Sequence, residues 1–423
     1  MEPTPGYRAL GTWHQALRMA VVEETVSITT DLVDRVREEL RTLGLDGWLL
    51  YNFRGNNAVA GGLTGLPAMT RRWFVYLPAE GEPVAITHRI EQQPWETWIG
   101  VKREYSSWRE LQLELGDLLQ GKRVAMEYAA CDAVPYVDAV PGGVLELIRE
   151  AGARVSSSGD LVSAFYSRWT AEGEASHRRA AKIVHDVAHD AFRRIAQTVR
   201  SGGRVTEWEA RGWIQRDFER LGLKVGADSI VAVNAHAANP HYGPTAEKHA
   251  EIKAGDLLLI DLWGKERDDA VYADQTWMGY LGDEVPGRLA EIFAVLSGAR
   301  DAATSHVIEH TRAGETVRGY EVDDVSRGVI ERGGYGKYFI HRTGHSIDRE
   351  LHGSGPNIDN LETQDTRTLI QGIGFSIEPG IYIPGDVGFR TEVDMFIGPN
   401  GGEITTPNPQ RAVYPLFREN PFA

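Results

Sequence analysis

Cysteine is almost missing from this chain: Cys131 stands alone in 423 residues, so neither an intramolecular disulfide nor a thiolate-built zinc site can form. Long apolar runs are missing too; without 18 consecutive apolar residues, no membrane-spanning helix is expected. Basic charge is in short supply. Lys and Arg number 45 against 60 Asp and Glu, a net −15, which argues against a nucleic-acid partner because phosphate binding needs a basic face. The first residues, MEPTPGYRALGTWHQ, lack an apolar stretch of signal-peptide length. Together these absences predict a cytoplasmic protein with neither membrane nor nucleic acid as partner. What remains is ordinary globular composition, 42% hydrophobic and 25% charged, at a length that predicts two domains.

Residues 1–27 show scattered aromatics and no period, and read as an arm available to contact a partner subunit. Thr30 or Asp31 can cap a helix with Leu32, Val36, Leu40 and Leu43 on one face, stopped by Gly44. The β-rich runs GWLLYNF, WFVYLPAEGEPVAITH and KRVAMEY follow, with helices expected over Trp108–Leu119 and Val134–Ala151. This alternation predicts an α/β domain over residues 28–167. Its polar residues form no cluster in the sequence, so a structural, dimerising or pocket-lidding role is expected. Residues 168–423 make the second domain. It opens with a long helix from Thr170 to Gly202–Gly203 and a second from a Thr206 cap to Leu221. Helices are also expected over Gly287–Thr311 and Tyr320–Arg332.

Two histidine pairs are decoys. His185 and His189 hold the i, i+4 spacing that binds zinc, but Asp186 stands where that pattern needs Glu. They read as solvated or helix-packing residues, and so do His306 and His310.

The stretch Asp256–Gly279 carries more. Two apolar runs flank a charged turn, predicting a β-hairpin with one aspartate in each run, Asp261 and Asp274. If these two face each other, Trp263 falls opposite Tyr272 and Gly264–Val271 connect the strands. On a solvent-facing edge the pair needs no explanation; inside an apolar hairpin two carboxylates repel unless a cation sits between them. Downstream, GFSIEPGIYIP and GFRTEVDMFIG each bury a glutamate in apolar sequence, Glu378 and Glu392, which is costly for a strand residue without a partner. Between hairpin and glutamates lies a Gly-broken stretch with His345 and, seven residues on, His352. The set Asp261, Asp274, His345, Glu378 and Glu392 brings four negative charges, which two divalent cations cancel. Oxygen-rich ligation with one imidazole suits Mn²⁺ first, then Co²⁺, Fe²⁺ or Zn²⁺. A hydroxide bridging two such ions is the expected nucleophile. His352 and the loop residue His241 are spare imidazoles for proton transfer or oxyanion donation. Arg390, two residues before Glu392, is expected to hold Glu392 or a substrate carboxylate.

In this order the five residues resemble the pita-bread-fold metallopeptidases of the prolidase and aminopeptidase P family. His241–Tyr242 before the first aspartate, Thr343–His345 with His352, IEPGIY at Ile377–Tyr382 and RTEVD at Arg390–Asp394 resemble that family's motifs. The resemblance runs from about residue 30. It implies a creatinase/prolidase-type N-terminal α/β domain, a C-terminal pita-bread catalytic domain and a homodimer. The implied activity is hydrolysis of Xaa-Pro dipeptides or short Xaa-Pro peptides, with the five residues as metal ligands. His241, His352, Arg390 and Glu378 are the implied catalytic residues. Departures from the pattern are Trp263 for a small residue, Trp277 for Arg, Asp348–Arg349 for Gly-Leu, and Gly353 for an acid. These predict a re-cut pocket and an unusual preference for Xaa or for peptide length. A metal-dependent hydrolase of a small non-prolyl amide and an inactive binding module are the competing expectations.

Overall fold

Thr29 caps the first helix of the computed structural model, which describes residues 28–226 and 228–422; the expected arm of residues 1–27 lies outside them. The Thr29 hydroxyl accepts from the Leu32 N–H at 3.2 Å, and Gly44, at φ 64°, closes helix α1 (Thr30–Leu43). The cap thus falls one residue before the earliest expected. A mixed sheet follows, built of β1 (Gly47–Asn52), β2 (Trp73–Pro78), β3 (Val84–His88), β4 (Val101–Tyr105), β5 (Arg123–Met126) and β6 (Arg154–Ser157). Its strand order is β4-β3-β2-β1-β5-β6. Strand alternation sorts its two faces. Trp48 and Leu50 pack with Val36 and Leu40 of α1, Val59 of α2 (Ala58–Thr64) and, further along the chain, Leu161. Leu49 and Tyr51 pack with Leu115 of α3 (Trp108–Leu119) and Ile148 of α4 (Gly142–Glu150). Leu161 belongs to α5 (Gly159–Phe165), the last helix of this half.

Three expectations change here. Strands β4 and β6 had no strong pattern in the sequence. The helix expected over Val134–Ala151 is only α4, preceded by a turn of 3-10 helix at Pro135–Val137. Pro141 explains the break, because the residue before a proline is pushed out of the helical region. The polar residues do cluster: fully buried Glu127 accepts from Trp48 Nε1 and Asn57 Nδ2, both at 2.7 Å, and from Ser158 Oγ at 3.1 Å.

The second half opens with α6 (Ala171–Arg200) and α7 (Glu207–Leu221), both capped by threonine side chains. They cover one face of a sheet of order β16-β9-β8-β7, comprising β7 (Ile230–Val233), β8 (Leu257–Gly264), β9 (Ala273–Tyr280) and β16 (Tyr414–Pro415). Helices α8 (Gly287–Arg312) and α9 (Gly319–Arg332) follow, close to their expected spans. Strands β10 (Ser346–Ile347), β11 (Gly374–Ile377), β14 (Val393–Gly398) and β15 (Gly401–Ile404) form a second sheet; β12 (Gly380–Ile383) and β13 (Val387–Arg390) pair separately. Among the described residues no helix is long and apolar enough to cross a membrane.

Candidate metal centre

Strand β8 turns Leu258, Ile260 and Leu262, and β9 turns Ala273 and Trp277, toward α6 and α7, leaving Asp261 and Asp274 on the opposite face. The register differs from the expected one by two residues: Asp261 faces Thr276, and Asp274 faces Trp263. The aspartates are therefore diagonal neighbours on one face of the hairpin rather than directly opposed. Thr276, directly opposite Asp261, lies between Asp261 and Glu392. Its hydroxyl is 3.0 Å from Asp261 Oδ1 and 2.9 Å from Glu392 Oε2, and it receives the Arg390 Nε–H at 3.1 Å.

The two glutamates are not inside strands, contrary to expectation. Ile377 pairs with Val393 at the end of one sheet and Gly380 pairs with Arg390 at the start of the next, so Glu378 and Glu392 fall level with each other in the break between sheets. A kink in both strands at one level turns both carboxylates toward the aspartates. His345 arrives from the loop before β10. A Cβ on Gly344 would lie 2.0 Å from the Ser376 carbonyl oxygen, so only glycine lets this loop approach so closely. The Asp323 carboxylate fixes the same loop, accepting the Thr343 N–H at 3.0 Å. His345 Nε2 then stands 3.2 Å from Glu378 Oε1 and 3.7 Å from Asp274 Oδ2.

Asp274, His345 and Glu392 offer ligand atoms within 4.8 Å of one another, and all three are buried. Asp274 Oδ1 and Glu392 Oε1 are buried without a hydrogen-bond partner. Burial, then the neighbouring carboxylates, drives both groups well above the usual carboxylate range. Burial holds the His345 imidazole below its ordinary value, leaving the neutral ring that ligates cations. One Thr276 proton cannot serve two carboxylates, and the single guanidinium of Arg390 cannot neutralise four. The donor set fits divalent cations: hard oxygens, one imidazole, orphaned buried lone pairs and uncancelled negative charge.

Arg390 is placed differently from expectation. Its Nη2 pairs with Asp261 rather than with Glu392, and its Nη1 reaches Tyr382 Oη at 3.2 Å and the Pro240 carbonyl at 3.3 Å. Above the cage opens a cavity of about 670 Å³ lined by His241, His352, Trp263, Leu351, Arg342 and, from the first half of the chain, Tyr136. The His352 ring stands 4.3 Å from that of His345. Of the five departing residues, Trp263, Trp277, Asp348, Arg349 and Gly353, only Trp263 lines the pocket. Trp277 faces the other way, packing on His185 and His189. Asp348 turns back to accept the Glu350 and Ser354 N–H groups at 2.8 and 3.1 Å, and Arg349 stacks on Tyr166. A larger cavity, about 1040 Å³, opens beside His185, His189 and Tyr414 on the α6 side, and none of the four cage carboxylates lines it.

Sequence reasoning missed Arg342, Tyr136 and Thr276. Arg342 adjoins the Thr343–His345 motif and was open to notice; Tyr136 is distant in sequence and carries no signal. The Arg342 guanidinium is nearly buried, stacks on the Tyr136 ring at 5.0 Å, hydrogen-bonds its hydroxyl, and has no carboxylate within 4.0 Å among the described residues.

Sheets wrapped around a carboxylate-and-imidazole cage, behind a smaller α/β half, define a pita-bread protein with a candidate divalent-metal site. The chain belongs to metallopeptidase family M24, whose model matches residues 175–399, more than half of its length. It is 35% identical over 204 residues to the Xaa-Pro dipeptidase of Lactobacillus helveticus, covering 48% of this chain and 50% of that one. Its identity to the Xaa-Pro dipeptidase of Lactobacillus delbrueckii subsp. lactis is 37% over 178 residues, 42% and 44% of the two chains. The matched stretch thus spans about half the length of these relatives. Solved structures share the fold along most of the chain. The dipeptidase PepE from Mycobacterium ulcerans superposes with TM-score 0.68 at 23% identity, covering 90% of this chain and 96% of that one. A prolidase from Thermococcus sibiricus gives 0.60 at 23% identity, covering 90% and 97%. Aminopeptidase P from E. coli gives 0.58 at 19% identity, covering 91% and 96%.

Proposed function

We propose that this protein hydrolyses Xaa-Pro dipeptides or short peptides beginning Xaa-Pro, with two divalent cations held by Asp261, Asp274, His345, Glu378 and Glu392. The observation that carries the proposal is the convergence of three buried carboxylates, the half-buried Glu378 and a buried imidazole, two of the carboxylate oxygens being orphaned. The relatives named Xaa-Pro dipeptidase support the choice of substrate. Mn²⁺ in the site, a homodimer, a cytoplasmic setting and a division of the chain at residues 167/168 belong to the same proposal.

When bound, the cations supply Lewis-acid polarisation of the scissile carbonyl and acidify a water toward neutral pH. The chain's own groups do the rest. Arg390 and Thr276 hold Asp261 in place. His241 and His352 face the cavity, where they hold or pass a proton and donate to developing negative charge. Proline's amide has no N–H to grip, and its ring has a fixed φ. A compact ring can lie against Leu351 and Trp263 without needing that contact.

Arg342, unpaired with any carboxylate among the described residues, is placed to take a substrate carboxylate. Arg342→Met is expected to raise KM for Ala-Pro by roughly 10–100-fold, the scale of a lost charge-assisted hydrogen bond, with a small change in kcat. Ala-Pro amide, which lacks the carboxylate, is expected to be unaffected. Equal losses on both substrates would instead assign Arg342 to packing with Tyr136.

The proposed activity is tested by assaying Mn²⁺-loaded protein on Ala-Pro, Leu-Pro, Met-Pro, Ala-Pro-Ala and their alanine counterparts. Turnover confined to the prolyl substrates is expected. Turnover of a non-prolyl amide alone would favour the second hydrolase reading.

A further inference from the structure

We infer that Glu207 is the positioning residue for His241: its buried carboxylate gathers the segment 233–250 and so fixes where the His241 imidazole stands over the metal cage. Glu207 is the first residue of α7, just after the Thr206 cap, and is fully buried. Among the described residues no lysine or arginine pairs with it; its only ionisable hydrogen-bonding partners are His236 and Tyr242. A buried carboxylate without a cation is costly unless its lone pairs are filled. Here every one is. Oε1 accepts the Val233 N–H at 2.8 Å, and Oε2 accepts the Ala250 N–H at 2.7 Å and the Tyr242 hydroxyl at 2.6 Å. His236 Nδ1 lies 3.0 Å from both oxygens.

All four donors belong to one segment, and that segment has almost no regular structure of its own. Between β7 and β8 it forms only a turn of 3-10 helix at Asn234–His236. Tyr242, buried, points down to Glu207, while its neighbour His241 stays exposed and lines the cavity. The other side of the segment is held by β13. Gly388 admits the Ala237 carbonyl so closely that a Cβ there would lie 1.8 Å from it, and Arg390 donates to the Pro240 carbonyl at 3.3 Å. Glu207 on one side and β13 on the other thus pin the loop carrying His241. A negative charge at this helix start is also favoured by the α7 dipole, but that benefit needs no burial and no converging donors. The use of all four donors on one loop points to the loop as the purpose.

The inference rests on the proposed hydrolytic role of the pocket, so its test includes a readout that needs no turnover. Glu207→Gln and the milder Tyr242→Phe are compared with wild type, each also in a His241→Ala background. The measurements are Ala-Pro kinetics, metal content and the His241 ring resonances by NMR. Expected for Glu207→Gln is a loss of roughly 10–100-fold in kcat/KM with unchanged metal content, the scale of lost outer-sphere support. The expected loss for Tyr242→Phe is smaller. In the His241→Ala background both losses are expected to shrink to less than about 2-fold, since coupled residues fail to add. His241 resonances are expected to shift in both single variants. Losses that persist in full without His241, or unmoved His241 resonances, would overturn the positioning role. Shifted His241 resonances in the variants, with no Xaa-Pro cleavage by wild type, would overturn the peptidase proposal and leave the positioning of His241 standing.

Discussion

Glutamine in place of Glu392 is expected to lower turnover by roughly 10³-fold or more, the order seen when one member of a concerted catalytic unit is removed, and to strip the protein of metal. The same substitution is expected to make the metal-free chain more stable than metal-free wild type. The reason is electrostatic. Asp261, Asp274, Glu378 and Glu392 are held within one buried cage against a single guanidinium, and Glu392 Oε1 has no partner. Without cations, removing one of these charges relieves repulsion and desolvation. A carboxylate whose pKa is raised on folding costs stability at neutral pH, about 1.4 kcal/mol per unit, and burial raises Glu392 well above its ordinary value; glutamine carries no such cost. With cations the order reverses, because wild type gains stability from binding, about 2.7 kcal/mol at a hundredfold excess over Kd, and the variant does not. Thermal melts with and without Mn²⁺ check this crossing directly. Curves in which Glu392→Gln destabilises both forms equally would show the glutamate to be structural.

His352→Ala is expected to lose roughly 10²–10⁴-fold in rate, as for a positioned acid–base or oxyanion donor, while keeping its metal. The His352 ring lies 4.3 Å from the His345 ring, seven residues along the chain from it, and lines the cavity. It can therefore reach a substrate held at the cage without displacing a ligand. Metal content by elemental analysis and single-turnover kinetics on Ala-Pro separate the two effects. A variant with near wild-type turnover would make His352 a loop-stabilising residue.

The carboxylates were legible because they interrupt apolar sequence, and a charge in such a place needs a partner. Which carboxylates face which was not. The hairpin register slipped by two because its inner ends are taken by distant partners: Lys265 exchanges backbone hydrogen bonds with Lys224, and the Tyr272 N–H goes to the Asp348 carbonyl. The ladder therefore starts at Ala273, where the expected pairing begins at Tyr272. Glu378 and Glu392 lie at a double kink that a run of β-formers hides. Proximity in sequence points Arg390 to Glu392 or to a substrate carboxylate, but Asp261 occupies its guanidinium across the cage. The orientation of Trp277 was readable: the period of two that puts Asp274 and Thr276 on one face puts Trp277 on the other. Glu207 was read only as part of a helix start, since its four donors lie between 26 and 43 residues downstream. In the first half, Tyr136 reaches the pocket through tertiary packing, which no local pattern announces.

The most direct test of the claim that this cage holds the catalytic cations is elemental analysis paired with Ala-Pro hydrolysis on the same samples. The full chain is measured after chelation, after Mn²⁺ is restored, and as Glu392→Gln. The expected result is about two ions per chain in the restored protein, activity that rises and falls with that content, and neither metal nor activity in the variant. A chelated chain free of metal that hydrolyses Ala-Pro at the full rate would contradict it.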